Sequence, residues 1–196
     1  MTHLPPEHSV LNHIPVQLET IFASMQEPDA IFTALMPALC EAWHCDRCFL
    51  YLRKPETNQG RITHCYRTDP KWADLTDADW VDEGNIAEID PLMAIAFRTD
   101  ETIYVEDVET ASRDVINLEF ENEFFKHRAL IHVPIYQDGK LYAIVEPCVF
   151  DQPRQWTETD RAIVAELQNR LPPLVIRYLQ TGGHEQSDPA VTNYPD

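Results

Sequence analysis

The stretch "HRALIHVPIYQDGKLYAIVEPCVFDQPRQWTETDRAIV", residues 127–164, decides the fold. Two runs rich in apolar, β-branched and aromatic residues, "ALIHVPIY" and "LYAIVEPCVF", flank the turn "QDGK", which is the signature of a β-hairpin. Behind it Thr157 caps "ETDRAIVAELQNRL", with Asp160 three residues on, so a long helix follows the hairpin. Pro172 and Pro173 predict an interruption of that helix before "LVIRYLQ".

Working outward, apolar residues Leu11, Ile14, Leu18, Ile21 and Phe22 recur at helical spacing between Val10 and Ser24. A second helix opens with Asp29 as its N-cap and carries Ile31, Leu35, Leu39 and Trp43 on one stripe, with a kink expected at Pro37. The period then changes. "RCFLYLR" (47–53) and "RITHCYR" (61–67) read as a strand pair around the turn "KPETNQG". Residues 69–90 hold eight acidic residues against the single Lys71 and show no clean period, which predicts an irregular acidic excursion anchored by Trp72 and Trp80. "PLMAIAFR" is a short helix with Pro91 at its first position, "TIYVED" a strand, and "INLEFENEFFK" a helix exposing Glu119, Glu121 and Glu123. Helices at both ends with strands between give one sheet with helices mainly on one face, an α+β arrangement.

The chain has 196 residues and a net charge of −18, with only 15 Lys plus Arg. A field of that sign repels phosphate backbones and anionic lipid, so neither nucleic-acid nor membrane binding is expected. No apolar run approaches the roughly 18 residues needed to span a bilayer, and the N-terminus carries neither a basic cluster nor an apolar h-region. A cytoplasmic location is the expectation. Five cysteines, an odd number, predict reduced thiols and not a disulfide framework.

Three of those cysteines, Cys40, Cys45 and Cys48, stand at the C-x4-C-x2-C spacing of plant-type ferredoxins. Strand alternation from Cys45 sends Cys45 and Cys48 to opposite faces, and large or charged residues intervene where a cluster loop needs small ones. The reading is buried thiols acting as small hydrophobes, without coupling among the three, and hence no cofactor. An iron–sulfur or other metal site on Cys40, Cys45 and Cys48 is the alternative, and a redox-active pair involving Cys65 or Cys148 a third. Asp90, Glu106, Asp107 and Glu109 read as exposed carboxylates. There is no Ser-His-Asp order and no glycine-rich phosphate loop, with 5 glycines in all, so no enzyme is expected.

The junction "CDRCFLYLR", the strand "ETIYVEDVET", residues 127–164 and the flanking helices together resemble a GAF domain, a small-ligand sensor module related to PAS. The segment with Cys148, Pro153, Arg154 and Trp156 is especially similar to GAF domains of cyanobacterial sensors. The resemblance implies an antiparallel sheet of about five to six strands with long N- and C-terminal helices. It divides the chain into an N-terminal helical extension (1–27), the GAF domain (28–179) and a disordered tail (180–196). It implies a ligand pocket between the sheet and the intervening region, for which the candidates are Trp80, Met93, Phe97, Phe120, Phe124, His127, Arg128 and His132. Bilin-binding relatives carry a Cys-His pair where this chain has Asn117 and Leu118, so covalent bilin attachment is not expected. The cysteine loop of the free methionine-R-sulfoxide reductases is also missing from residues 69–90. The expectation is a non-catalytic regulatory module that binds a small molecule or a signalling protein and acts in trans as a homodimer paired through its terminal helices. The alternative is an assembly factor with a vestigial pocket, working through its acidic surface.

Overall fold

The computed structural model describes residues 14–182. Leu11 and most of the expected tail lie outside them. Six strands form one antiparallel sheet: β1 (Arg47–Lys54), β2 (Gln59–Arg67), β3 (Val81–Asp82), β4 (Ile103–Val105), β5 (Ala129–Gln137) and β6 (Lys140–Val149), in the spatial order β3-β2-β1-β6-β5-β4. The β5–β6 hairpin turns on Asp138 and Gly139, both at positive φ (51° and 75°), the conformation that an Asp-Gly pair supplies. One register shift between Ile135 and Tyr136 re-sets the rest of this pairing.

Alternation along the strands gives the sheet two faces. Cys48, Leu50 and Leu52 of β1, Ile131, Val133 and Ile135 of β5, and Ala143 and Val145 of β6 share a core with α1 (Val16–Ser24), α2 (Pro28–Ala42) and α6 (Glu158–Gln180). The opposite face carries Arg47, Phe49, Tyr51, His132, Ile144 and Glu146 beneath three short helical pieces: α3 (Ile86–Ile89), α4 (Pro91–Ala96) and α5 (Leu118–Phe120). The long helices on one side build the core. The short ones on the other roof the site.

Several expectations need correction. Asp29 lies inside α2; Glu27 is its N-cap and Pro28 takes the first position, where a missing N–H is no loss. Pro172 and Pro173 do not interrupt α6. In α6 the prolines sit among buried Leu167, Leu171, Pro172 and Val175, and that packing outweighs the missing amide donors. The acidic excursion contributes an edge strand, β3, and the turn α3, and it is held as expected: Trp72 stacks on Phe150 at 4.0 Å and Lys54 Nζ lies 4.0 Å over the Trp80 ring. Leu18, Ile21, Ile163 and Leu167 are buried within the chain, so the terminal helices leave for a partner the exposed Val16 of α1 and the half-buried Leu174 and Ile176 of α6.

The segment after α5 is not an exposed α-helix. Glu121–Phe125 closes a π-type turn, with Lys126 N–H donating to the Glu121 carbonyl at 2.6 Å and Lys126 in the left-handed region. Glu121, the first residue of that turn, still donates its N–H to the Asn117 carbonyl at 2.9 Å and is buried, while Asn122, Glu123 and Phe124 stay outside.

Candidate functional site

Between the second sheet face and its roof lies a cavity of about 510 Å³. Phe49 and Tyr51 of β1, Ile62 of β2, His132 of β5, and Ile144 and Glu146 of β6 make its floor. Leu92 and Met93 of α4 and Phe120, Glu121, Phe124 and Phe125 cover it, and Val81, Asp82, Glu83 and Ile86 form one side. Val81 and Phe124 are large apolar side chains left 58% and 57% exposed, one from each bank.

The wall from the acidic excursion is pinned by Glu83. Arg53 Nε lies 2.9 Å from both Glu83 oxygens, and Tyr51 Oη donates to Glu83 Oε1 at 2.6 Å. Burial and the Glu83 hydrogen bond push the Tyr51 phenol well above its ordinary value, so it stays a donor. Tyr51 crosses β2 at Gly60, where a Cβ would stand 1.7 Å from the Tyr51 hydroxyl. Glycine at this position is what lets the ring reach Glu83.

Beneath the cavity is a buried ionic network. His132 Nδ1 donates to Glu146 Oε2 at 2.6 Å; Glu146 Oε1 and Glu121 Oε2 lie 3.7 and 3.2 Å from His127 Nδ1; Arg47 Nη2 lies 2.7 Å from His127 Nε2. A guanidinium only donates, so His127 Nε2 accepts and the ring proton sits on Nδ1, facing the two carboxylates. Burial alone raises the Glu146 carboxyl, but the His132 hydrogen bond and the charges of His132 and Arg47 outweigh it and hold Glu146 below the usual range. Two cavity-lining atoms remain buried without a hydrogen-bond partner: His132 Nε2 and Glu121 Oε2. Such atoms mark where a ligand or water belongs.

Of the eight expected ligand residues, Met93, Phe120, Phe124 and His132 line the cavity. His127 lies one layer below it. Arg128 points elsewhere, 2.8 Å from Asp107 and 3.3 Å from Glu109, and Trp80 and Phe97 pack outside under Lys54 and Arg53. Asp90, read as exposed, is half-buried on the lining and caps α4 by accepting from Leu92 N–H at 2.9 Å. Phe49, Tyr51, Glu83, Glu121 and Glu146 are site residues that the sequence reading missed. Alternation would have placed Phe49 and Tyr51 on the face opposite Leu50; nothing in the sequence marks the π turn that buries Glu121.

The cysteines lie off the cavity. Cys45 Sγ is 3.5 Å from Cys40 Sγ and 3.3 Å from the Arg47 carbonyl, so these two touch, against the expectation of three uncoupled thiols. Burial pushes Cys45, Cys48 and Cys148 well up, which makes them thiols and not thiolates. Among the described residues one group of three metal-type donors converges within 4.8 Å: His127, Glu146 and Cys148. Arg47 already holds His127 Nε2, and its positive charge beside the group opposes a cation there.

The segment Pro153–Trp156 is an anchor. Trp156 Nε1 donates to the Val105 carbonyl at 3.1 Å, and Arg154 stacks on Trp156 while pairing with Asp160 at 3.1 Å inside the capping box of α6. It ties the long helix to the far edge of the sheet. Asn117 caps α5 and donates to the Ile89 carbonyl at 2.9 Å.

Among solved structures, the chain is similar to GAF3 of Slr1393 from Synechocystis sp. PCC6803 in its photoproduct state, with a TM-score of 0.61 and 22% identity over 81% of this chain and 100% of that one. It is also similar to the GAF domain of a phosphoenolpyruvate-protein phosphotransferase from Coxiella burnetii, with a TM-score of 0.66 and 15% identity over 86% and 94%. A third likeness is to the free methionine-R-sulfoxide reductase of Neisseria meningitidis in complex with its substrate, with a TM-score of 0.62 and 18% identity over 92% and 97%. No curated protein sequence matches the chain. At these identities the structures speak for the fold alone, but the GAF domain family itself matches residues 27–171, and the chain belongs to that family.

Proposed function

We propose that this chain is a non-catalytic sensory module that binds a small molecule reversibly in the cavity over β1, β5 and β6 and passes the signal to a separate protein. The observation that carries this reading is the pair of buried, unpartnered polar atoms, His132 Nε2 and Glu121 Oε2, on the wall of a roofed apolar cavity. An evolved vestige has no need of such atoms, since a filled core is more stable than a half-satisfied polar one.

Two features support a non-catalytic role even though one structural neighbour is a reductase. No cysteine lines the cavity among the described residues, and the buried thiols nearest to it are held protonated. The reading also keeps the chain free of an iron–sulfur cluster. A homodimer through Leu174 and Ile176 is part of the proposal, as is a signalling protein as the downstream partner.

Native mass spectrometry of freshly purified protein tests it. A stoichiometric non-covalent adduct that disappears on Met93→Trp, which fills the cavity, is the expected result. Protein without an adduct, whose melting temperature also ignores a metabolite library, overturns it.

A further inference from the structure

The charge of the cavity goes further than its shape. Six carboxylates line it, Asp77, Asp82, Glu83, Asp90, Glu121 and Glu146, against His132 as the one lining side chain able to carry positive charge. Three of the six have a basic neighbour: Glu83 has Arg53 at 2.9 Å, Glu146 has His132 at 2.6 Å, and Glu121 has His127 Nδ1 at 3.2 Å. Asp77, Asp82 and Asp90 accept only backbone N–H groups, from Ile62, Gly84 and Leu92, with no cationic side chain within 4.0 Å among the described residues. Glu121 Oε2 is buried without a hydrogen bond on a residue only 5% exposed. The remaining lining includes five aromatic residues, Phe49, Tyr51, Phe120, Phe124 and Phe125, and ring faces attract positive charge.

We propose that the ligand is an organic cation, an amine or amidinium carried on an apolar or aromatic body, with its charged head between Asp90 and Glu121 and its body against the phenylalanines. An anion is opposed here by every unpaired carboxylate, and a neutral ligand leaves them uncompensated. The inference deepens the small-molecule reading above and rests on it. The net charge of −18 adds a long-range attraction for such a ligand.

Asp90 gives the proposal a pH signature. Burial pushes its carboxyl from 3.8 up to about 6; the charge of His132 on β5 and the Leu92 N–H oppose the shift, while Glu146 on β6 and Glu121 on the π turn reinforce it. A cation beside Asp90 favours the carboxylate, so binding releases protons below about pH 6 and tightens as the pH rises through that value.

The test is an isosteric series: tryptamine, tryptophol and indole-3-propionate, followed by calorimetry at pH 7.5 and 5.0, alongside native mass spectrometry of the purified protein. Tryptamine is expected to bind about tenfold or more tighter than tryptophol, a difference of about 1.4 kcal/mol. Indole-3-propionate is expected to bind weakest. The preference is expected to shrink in Asp90→Asn, which keeps the α4 cap, and in Glu121→Gln, with circular dichroism confirming both folds. Equal or tighter binding of tryptophol or indole-3-propionate, or a co-purified adduct that is neutral or anionic, overturns the cation while leaving the cavity a ligand site. No probe binding and no adduct overturns both readings. Where none of the three indoles binds, a co-purified cationic adduct supports the proposal.

Discussion

Arg47 Nη2 sits 2.7 Å from His127 Nε2 at full burial, and through that ring its charge reaches Glu146 and Glu121. The Arg47 guanidinium also lies 4.8 Å over the Phe150 ring and donates to the Ala73 carbonyl at 3.0 Å. One side chain thus fastens the acidic excursion, the sheet and the cavity floor together. Arg47→Met strips the buried carboxylates of a counter-charge, and the expected cost is about 3–5 kcal/mol in urea unfolding. Arg47→Met with Glu146→Gln is expected to cost clearly less than the sum of the two single changes, because the second removes the charge that the first leaves unpaired. Simple additivity in that cycle would show that the network is not one unit.

Gly60 and Tyr51 are coupled by sterics. A methyl at position 60 meets the Tyr51 hydroxyl, so Gly60→Ala must swing the ring away from Glu83, at an expected cost of about 1–3 kcal/mol. In a Tyr51→Ala background the same substitution is expected to be nearly neutral, since Gly60 has no positive φ to lose. Thermal melts of the four proteins measure the coupling. An equal cost in both backgrounds would mean that the ring does not lie over Gly60.

How far this site is legible from sequence turns on one irregularity. The Asp-Gly turn marks the hairpin, and alternation puts His132 on the face of Leu130 and Pro134. Counted back from the turn pair Gln137–Lys140 with no irregularity, His132 would stand opposite Val145. The register shift at Ile135/Tyr136 moves β6 by one residue, pairs Val133 with Val145 and sets Glu146 against His132 instead. A bulge of this kind exchanges the faces of a whole strand, and no residue in "VPIYQDGK" announces it. Glu121 is hidden for another reason: it stands where the three-residue α5 passes into a five-residue π turn, pieces too short for helical periodicity to say which face is buried. Sheet, core and long helices are readable because they rest on many residues at once. The site rests on one register shift and one short turn.

Pro173 is exposed inside a 23-residue helix that runs through it. Its ring contributes little packing, and it denies the helix one hydrogen bond. Pro173→Ala is therefore expected to stabilise the protein by about 1–2 kcal/mol, the intrinsic difference of about 3 kcal/mol being reduced by the freer unfolded chain. A lower melting temperature for Pro173→Ala would indicate that the proline shapes α6 to fit the sheet.

The thiols supply a third cycle, and it separates packing from chemistry. Cys40 and Cys45 touch at 3.5 Å, whereas Cys48 is buried on β1 beside the core. Ala substitutions at each are expected to cost about 1–3 kcal/mol, with coupling between Cys40 and Cys45. Anaerobic iron, sulfide and zinc are expected to be absent throughout. Stoichiometric metal in the parent that vanishes in all three single variants would replace packing with a cluster.

Asp90 makes stability itself depend on pH, with a definite sign. Its carboxyl titrates at about 6 in the folded protein against 3.8 as its ordinary value, because burial disfavours the charge. A raised folded value means that the native state binds the proton more tightly than the unfolded chain does. That contribution is fully present below about pH 4 and is lost as the pH rises through about 6, leaving the ionised, buried Asp90 a liability of about 2–3 kcal/mol at neutral pH. Asparagine accepts the same Leu92 N–H and carries no charge. Asp90→Asn is thus expected to be more stable than the parent at pH 7.5 by about that amount and to match it at pH 4. Equilibrium unfolding of both proteins across pH 4–8 gives the difference curve directly. A flat curve would place Asp90 in water and remove it from the cavity wall, whereas saturating tryptamine is expected to narrow the gap at pH 7.5 by stabilising the parent more than the variant.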